Sequence, residues 1–401
     1  MASSSVLVPK FLYLPFTHHQ LSRSSTKNVS KAAKLHKSLE YAVGSSKARA
    51  FCAATGMNPK FEGITNEVQE ILDANMDEAP ARRRARDAFS EVQLSIDHYL
   101  FKFPCDGVKM KEWYEVNSRG MKIFCKSWLP EDSSSPMKAA VCYCHGYGDT
   151  CTFFFEGIAR KLASCGYGVF AMDYPGFGLS DGLHAFIPSF DLLVDDVIHH
   201  YTKHKGKPEM NNVPRFLFGQ SMGGAVALKI HLKQPNEWSG AVLLAPMCKI
   251  ADNMVPPWLI AQILIGVSKL LPKQKLVPQK NFADLAFRDL DKRQMTSYNV
   301  IAYKDKPRLA TGVELLKTTH EIERRLEEIS IPLLILHGEE DVVTDPSVSK
   351  ALNDKARSCD KTLNLYKDAY HCLLEGEPDE MIARVLEDIV SWLDARCCKS
   401  S

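Results

Sequence analysis

Ser221 lies in Gly219-Gln220-Ser221-Met222-Gly223, between the apolar run Phe216 to Phe218 and a stretch with helical spacing at Ala225, Leu228 and Ile230. A serine hydroxyl is a weak nucleophile and needs a base to take its proton and an acid to orient that base. A serine on a sharp strand-to-helix turn is lifted clear of the backbone. Gly219 and Gly223 let the strand and the helix approach closely enough to hold that turn. The N–H groups that open the following helix would face the same point, where the helix dipole favours an oxyanion. A five-residue pattern of this kind also arises by chance, so the reading depends on finding an acid, a base and a second oxyanion donor.

The acid and base follow in order. The strand-like run Leu333 to Leu336 leads into His337-Gly338-Glu339-Glu340-Asp341, which sets carboxylates at the strand's C-terminal end. Asp341 is the expected acid, and Asp345, one short turn further, is the alternative. Thr362 to Tyr366 then runs into Lys367-Asp368-Ala369-Tyr370-His371. His371 is the one histidine after the acid and is therefore the expected base, taking the Ser221 proton during attack and returning it to the leaving alcohol. Serine, acid, histidine is a known chain order for a triad carried on a mostly parallel sheet. The second oxyanion donor is expected in His145-Gly146-Tyr147-Gly148-Asp149, which follows the run Ala139 to Cys144. The N–H groups of Tyr147 and Met222 are the expected donors, each worth a few kcal/mol in the transition state. His145, Gly146 and Gly148 are expected to support that loop.

These residues need a scaffold, and the pattern around them supplies one. Two alternating runs, Lys111 to Val116 and Met121 to Trp128, flank Asn117-Ser118-Arg119-Gly120 and predict a β-hairpin. Strands then alternate with helices: Ala139 to Cys144, a helix through Phe155, Ile158 and Leu162, Val169 to Met172, and a helix through Phe190, Leu193, Val194, Val197 and Tyr201. The Ser221 turn, Ala241 to Ala245, Leu333 to Leu336, Thr362 to Tyr366 and a last helix through Ile382 to Leu393 follow. The expected class is α/β, a mostly parallel sheet covered on both faces. Residues 106–246 and 331–396 form the two parts of its core. Between them, 247–330 read as a helical cap. Its apolar stretch Leu259 to Leu271 is too short and too proline-bounded to span a bilayer, and it would suit an acyl chain if exposed. Residues 56–105 read as a helical extension in which Arg82-Arg83-Arg84-Ala85-Arg86 is most simply a solvated face.

Residues 1–55 differ in composition. They hold ten serines within the first fifty residues, several basic residues and one acid, Glu40, the mark of an organellar transit peptide. The expected location is a plastid, with the cytoplasm or mitochondrion as alternatives. Eight of the 50 Lys and Arg and one of the 48 Asp and Glu lie in residues 1–52, so the remainder is mildly acidic and carries no electrostatic footprint for nucleic acid. The twelve cysteines are scattered, without paired metal-type spacing. Cys142 and Cys144 read as core, and no metal is expected. Gly176-Phe177-Gly178 starts like a dinucleotide fingerprint, but Asp181 stands at the third glycine position.

With these segments assembled, residues 106 to 395 resemble the monoacylglycerol lipase family of α/β-hydrolases, most closely its plant members. The resemblance is carried by His145-Gly146-Tyr147-Gly148, Asp173 to Ser180, Gly219 to Gly224, His337 to Asp341, and Tyr370-His371. It implies an eight-stranded sheet, a mobile cap, no cofactor, and cleavage of a small-molecule ester, with an acyl chain, through a covalent acyl-enzyme. Peripheral membrane contact through the cap is a further expectation, and the oligomeric state is left open. Lysophospholipase, phenolic-ester esterase and non-enzymatic ligand receptor remain rival readings on the same fold. An epoxide hydrolase or dehalogenase would need an aspartate where Ser221 stands.

Overall fold

A computed structural model describes residues 66–89, 96–131, 136–205, 213–249, 257–278 and 282–397. The expected transit segment 1–55 lies outside them. Eight strands, β1 Val108–Val116, β2 Lys122–Pro130, β3 Ala139–Cys144, β4 Tyr167–Met172, β5 Arg215–Gln220, β6 Gly240–Leu244, β7 Leu333–Gly338 and β8 Lys361–Tyr366, form one sheet in the order β1-β2-β4-β3-β5-β6-β7-β8. From β4 to β8 every pairing is parallel, while β2 runs antiparallel to both β1 and β4. The α/β expectation and the strand number agree with this sheet.

The central strands are apolar on both faces because both are covered. β3, β6 and β7 are buried at every residue, whereas the edge strand β1 is exposed at most positions. Alternate residues divide between two cores: Val141, Tyr143, Phe216 and Phe218 on one face, Ala140, Cys142, Cys144 and Leu217 on the other. Cys142 and Cys144 are thus core residues, as expected. At the predicted hairpin, Asn117 Oδ1 accepts from the N–H groups of Arg119 and Met121, each at 3.0 Å. Gly120, at φ +77°, completes the turn.

The helices are α1 Asn66–Leu72, α2 Ala79–Phe89, α3 Phe154–Ser164, α4 Phe190–Lys205, α5 Met222–Lys233, α6 Trp258–Ser268, α7 Phe282–Ala286, α8 Leu290–Met295, α9 Leu309–Arg324, α10 Pro346–Lys355 and α11 Asp379–Cys397. The stretch between β6 and β7 carries α6 to α9, and these four differ sharply in burial. α9 buries Leu315 and Ile322 in the second core. In α6 no residue is buried, and Trp258, Leu259 and Ile263 are 75%, 64% and 57% exposed. Between α6 and α9 lies a groove of about 850 Å³ whose lining includes Trp258, Ile265 and Leu316 and none of the three triad candidates.

The arginine run of α2 requires a correction. Arg82 is not on a solvated face; it is 0% exposed. α2 lies across the glycine-rich loop after β4, and the Arg82 guanidinium donates to the carbonyls of Gly178 (2.5 Å), Ser180 (2.7 Å) and Gly182 (3.3 Å) and to those of Met76 and Asp77. A buried guanidinium is tolerated only when its donors are paired in this way.

Candidate active site

β5 ends at Gln220 and α5 begins at Met222, so Ser221 alone makes the reversal, at φ 53° and ψ −118°. A non-glycine residue at positive φ is strained, and the surroundings hold it there. The Ser221 N–H donates to the Leu244 carbonyl at 2.9 Å, and the Ser221 carbonyl accepts from Gly224 and Met247. A side chain at Gly223 would collide with the Cys144 carbonyl, and one at Gly219 with that of Gly223. The turn therefore needs glycine at both flanks.

His371 and Asp341 come to this turn from the ends of β8 and β7. The Ser221 hydroxyl lies 2.9 Å from His371 Nε2, and His371 Nδ1 lies 2.6 Å from Asp341 Oδ2. Ser221 is partly exposed while Asp341 and His371 are buried, so the hydroxyl is open to approach from outside and the two groups behind it are not. Asp341 is heavily supported. Its Oδ1 accepts from the N–H groups of Val343 (2.7 Å) and Thr344 (3.1 Å), and its Oδ2 from the Thr344 hydroxyl (2.8 Å) and His337 Nε2 (3.0 Å). Burial alone would raise this carboxyl. The charge of protonated His371 and the hydrogen bonds from His337 and His371 outweigh burial and hold it well below the usual carboxylate range. Asp345, the alternative acid, instead caps α10 by accepting from the Ser347 N–H at 2.8 Å and is not brought to Ser221.

The loop after β3 passes beside the serine. A Cβ built on Gly146 would sit 3.6 Å from Ser221 Cβ, an ordinary contact. Among the described residues no acceptor engages the N–H of Tyr147 or of Met222, which leaves both able to bind a developing oxyanion. His145 is buried, donates from Nδ1 to the Gly146 carbonyl at 2.8 Å and accepts the Tyr174 N–H at Nε2. Burial lowers its pKa, which keeps it neutral and suits it to bracing the loop. Gly148 has φ +80°, and its carbonyl accepts from the Tyr303 N–H at 2.7 Å.

Some of the site was not legible beforehand. Thr344 fastens the acid through its N–H and its hydroxyl, whose one proton has the Asp341 carboxylate at 2.8 Å as the nearer acceptor and the Ala245 carbonyl at 3.2 Å as the farther. His337 is held in turn by Ser349 at 2.7 Å. Behind the nucleophile, Gln220 Nε2 donates to Glu375 Oε1 at 2.7 Å, and Gln220 Oε1 accepts from the Tyr143 hydroxyl at 3.1 Å. Burial pushes the Glu375 carboxyl up to about 7, against the Gln220 hydrogen bond and the His371 charge, and burial likewise pushes Asp149 up to about 7. The sequence signal for these groups is weak, because they come from four separated segments. A different trio, Glu115, Cys125 and His200, has ligand-type atoms within 4.8 Å of one another. It belongs to β1, β2 and α4, and Glu115 there is paired with Lys203.

Residues 135–379 match the family described as serine aminopeptidase, S33. The chain is 34% identical over 301 residues to the caffeoylshikimate esterase of Arabidopsis thaliana, covering 74% of this chain and 89% of that protein. It is 31% identical over 286 residues to the monoglyceride lipase of Mus musculus, covering 70% and 89%. Among solved structures, a soluble variant of the Saccharomyces cerevisiae monoglyceride lipase in complex with a substrate analog superposes with a TM-score of 0.64, over 74% of this chain and 98% of that one, at 20% identity. That last likeness concerns the fold. Taken with the sequence matches, it places the chain in this α/β-hydrolase family, as a serine hydrolase of its monoglyceride lipase and esterase group.

Proposed function

We propose that the chain cleaves monoacylglycerol-type esters through an acyl-enzyme formed on Ser221. The observation that carries the reading is the continuous line from Ser221 through His371 to Asp341, at 2.9 and 2.6 Å. In this mechanism His371 Nε2 takes the Ser221 proton as Oγ attacks the ester carbonyl, and Asp341 stabilises the imidazolium that results. The carbonyl oxygen becomes an oxyanion and accepts from the N–H groups of Tyr147 and Met222. Collapse expels the alcohol, protonated by His371. Water, with His371 again as base, then releases the acid and restores Ser221.

The acyl preference rests on the stretch between β6 and β7. We read it as a cap, because the unburied apolar side chains of α6 match an acyl chain and a lipid surface better than a small water-soluble ester. Peripheral membrane contact belongs to the same reading, and a plastid location is supported by the serine-rich, acid-poor composition of residues 1–55. No helix among the described residues is long and apolar enough to cross a membrane. A phenolic-ester reading is favoured instead by the 34% identity to caffeoylshikimate esterase. The test is steady-state hydrolysis of oleoylglycerol, lysophosphatidylcholine and caffeoylshikimate, with Ser221→Ala as control. The highest kcat/KM is expected on oleoylglycerol, and a preference for caffeoylshikimate would overturn the acyl assignment. Absence of both turnover and fluorophosphonate labelling at Ser221 would overturn the enzyme mechanism.

A further inference from the structure

The segment before β1 touches both the loop after β4 and the stretch between β6 and β7. Asp77, between α1 and α2, accepts at Oδ1 from Arg308 Nη2 at 2.6 Å, and Lys275 Nζ lies 3.4 Å away. Both cations belong to the stretch between β6 and β7. Arg308 is buried and also donates to the His184 carbonyl (3.0 Å) and the Lys273 carbonyl (2.6 Å). The His184 N–H in turn donates to the Asp77 carbonyl at 3.2 Å. Three distant segments therefore meet around Asp77 and Arg308: the extension, the loop after β4, and the inserted stretch.

This junction continues to the oxyanion loop by two routes. The first runs through Tyr303, whose ring packs edge-on against His184 at 5.0 Å and against Tyr147 at 6.0 Å. Its N–H donates to the Gly148 carbonyl, and a side chain at Gly148 would press on the Tyr303 carbonyl at 2.7 Å. The second runs through Arg82, which holds the carbonyls of Gly178 and Ser180. The Ser180 hydroxyl donates to the Asp173 carbonyl at 2.6 Å, and the Asp173 carboxylate accepts from the Leu179 N–H, the Thr150 hydroxyl and the Cys151 N–H. Thr150 and Cys151 continue the same loop that carries Tyr147.

We propose that Asp77, Arg82 and Arg308 are positioning residues: through Tyr303 and Asp173 the N-terminal extension fixes the 145–151 loop and so the aim of the Tyr147 N–H. The proposal rests on the ester-hydrolase reading only for its kinetic consequence. The mechanical coupling stands on the contacts alone. Oxyanion stabilisation depends on donor placement, and displacement on the ångström scale is costly in rate. Loss of the Asp77–Arg308 pair should therefore lower the rate of acylation more than it weakens substrate binding.

The test uses the full chain and Asp77→Asn, with Asp77→Glu as the conservative restoration and Arg86→Ala, on the adjacent α2, as a control. Arg86 pairs with Glu112 on β1 at 2.6 Å, outside this junction. The first readout is hydrogen exchange of the peptide containing residues 145–152. Exchange should accelerate about tenfold in Asp77→Asn, return towards wild type in Asp77→Glu and be unchanged in Arg86→Ala. The second is the pre-steady-state burst with a p-nitrophenyl ester, where the acylation rate should fall about tenfold with KM within about twofold. Unchanged exchange at 145–152 overturns the coupling whatever the activity. Accelerated exchange with an unchanged acylation rate, or a loss carried only by KM, overturns the role in oxyanion placement. Accelerated exchange in a chain whose wild type neither turns over ester nor reacts at Ser221 upholds the coupling and defeats the hydrolase mechanism instead.

Discussion

At the scale of single residues, the site separates groups whose charge is fixed from groups whose charge is poised. Asp341 accepts from four donors besides His371 and is held well below the usual carboxylate range; in the proposed mechanism that fixed charge orients His371 and opposes the imidazolium. Glu375 sits in the opposite condition, buried with its carboxyl pushed up to about 7. The sign of the consequence follows from proton counting. Between about pH 4.5 and 7 the unfolded chain has lost this proton while the folded one keeps it, so its contribution to stability falls as pH rises through that window and is constant above it. Glu375→Gln keeps an acceptor for Gln220 and cannot ionise. The variant is expected to gain up to about 3 kcal/mol on the wild type between pH 5 and 7.5, measured by urea unfolding at the two pH values. Parallel pH dependence in the two proteins would mean that Glu375 titrates normally.

Among the elements, α6 departs most from ordinary packing. Helices of soluble domains turn one apolar stripe inwards, whereas α6 has no buried residue and Leu270, just beyond its end, is 83% exposed. If this face meets lipid, Trp258→Ser with Leu259→Ser removes apolar area worth a few kcal/mol when fully buried. Vesicle binding, followed by co-flotation with liposomes, is expected to weaken about tenfold or more. Hydrolysis of water-soluble p-nitrophenyl acetate should stay within about twofold of wild type, because α6 supplies none of the triad residues. Equal losses in vesicle binding and in p-nitrophenyl acetate hydrolysis would point to a folding defect rather than a lost surface. α9, from the same inserted stretch, belongs to the core through Leu315 and Ile322, so the stretch is not uniform in role.

At the scale of the whole molecule, α2 packs on the sheet domain through Arg82 and Arg83. Arg82 keeps its charge at neutral pH, although burial, partly offset by Asp173, lowers its pKa to about 10. Arg82→Met would fill much of the same space but strip the donors from the carbonyls of Gly178, Ser180 and Gly182. With each unsatisfied buried group costing about 1–3 kcal/mol, a loss of roughly 3 kcal/mol or more is expected in urea unfolding, and a change below about 1 kcal/mol would show that water replaces those bonds. This burial was hidden in the sequence, where four arginines within five residues resemble a wet helix face; helical periodicity gives a direction around an axis and not what lies against it. Ser221, Asp341 and His371 were legible for the opposite reason. Each follows a short strand, apolar in β5 and β7 and alternating in β8, and parallel strands must deliver their C-terminal ends to one edge, so local pattern and chain order were enough to nominate them. The sheet, its two covered faces and the hairpin at Asn117 were legible likewise, since strand and helix periods are local properties. The tertiary structure alone decided that Asp341 and not Asp345 meets His371, that Thr344 and Glu375 stand behind the site, and that Asp77 reaches Arg308. Those are contacts between segments far apart in the chain, set by which surfaces pack together, and no spacing along the sequence encodes them.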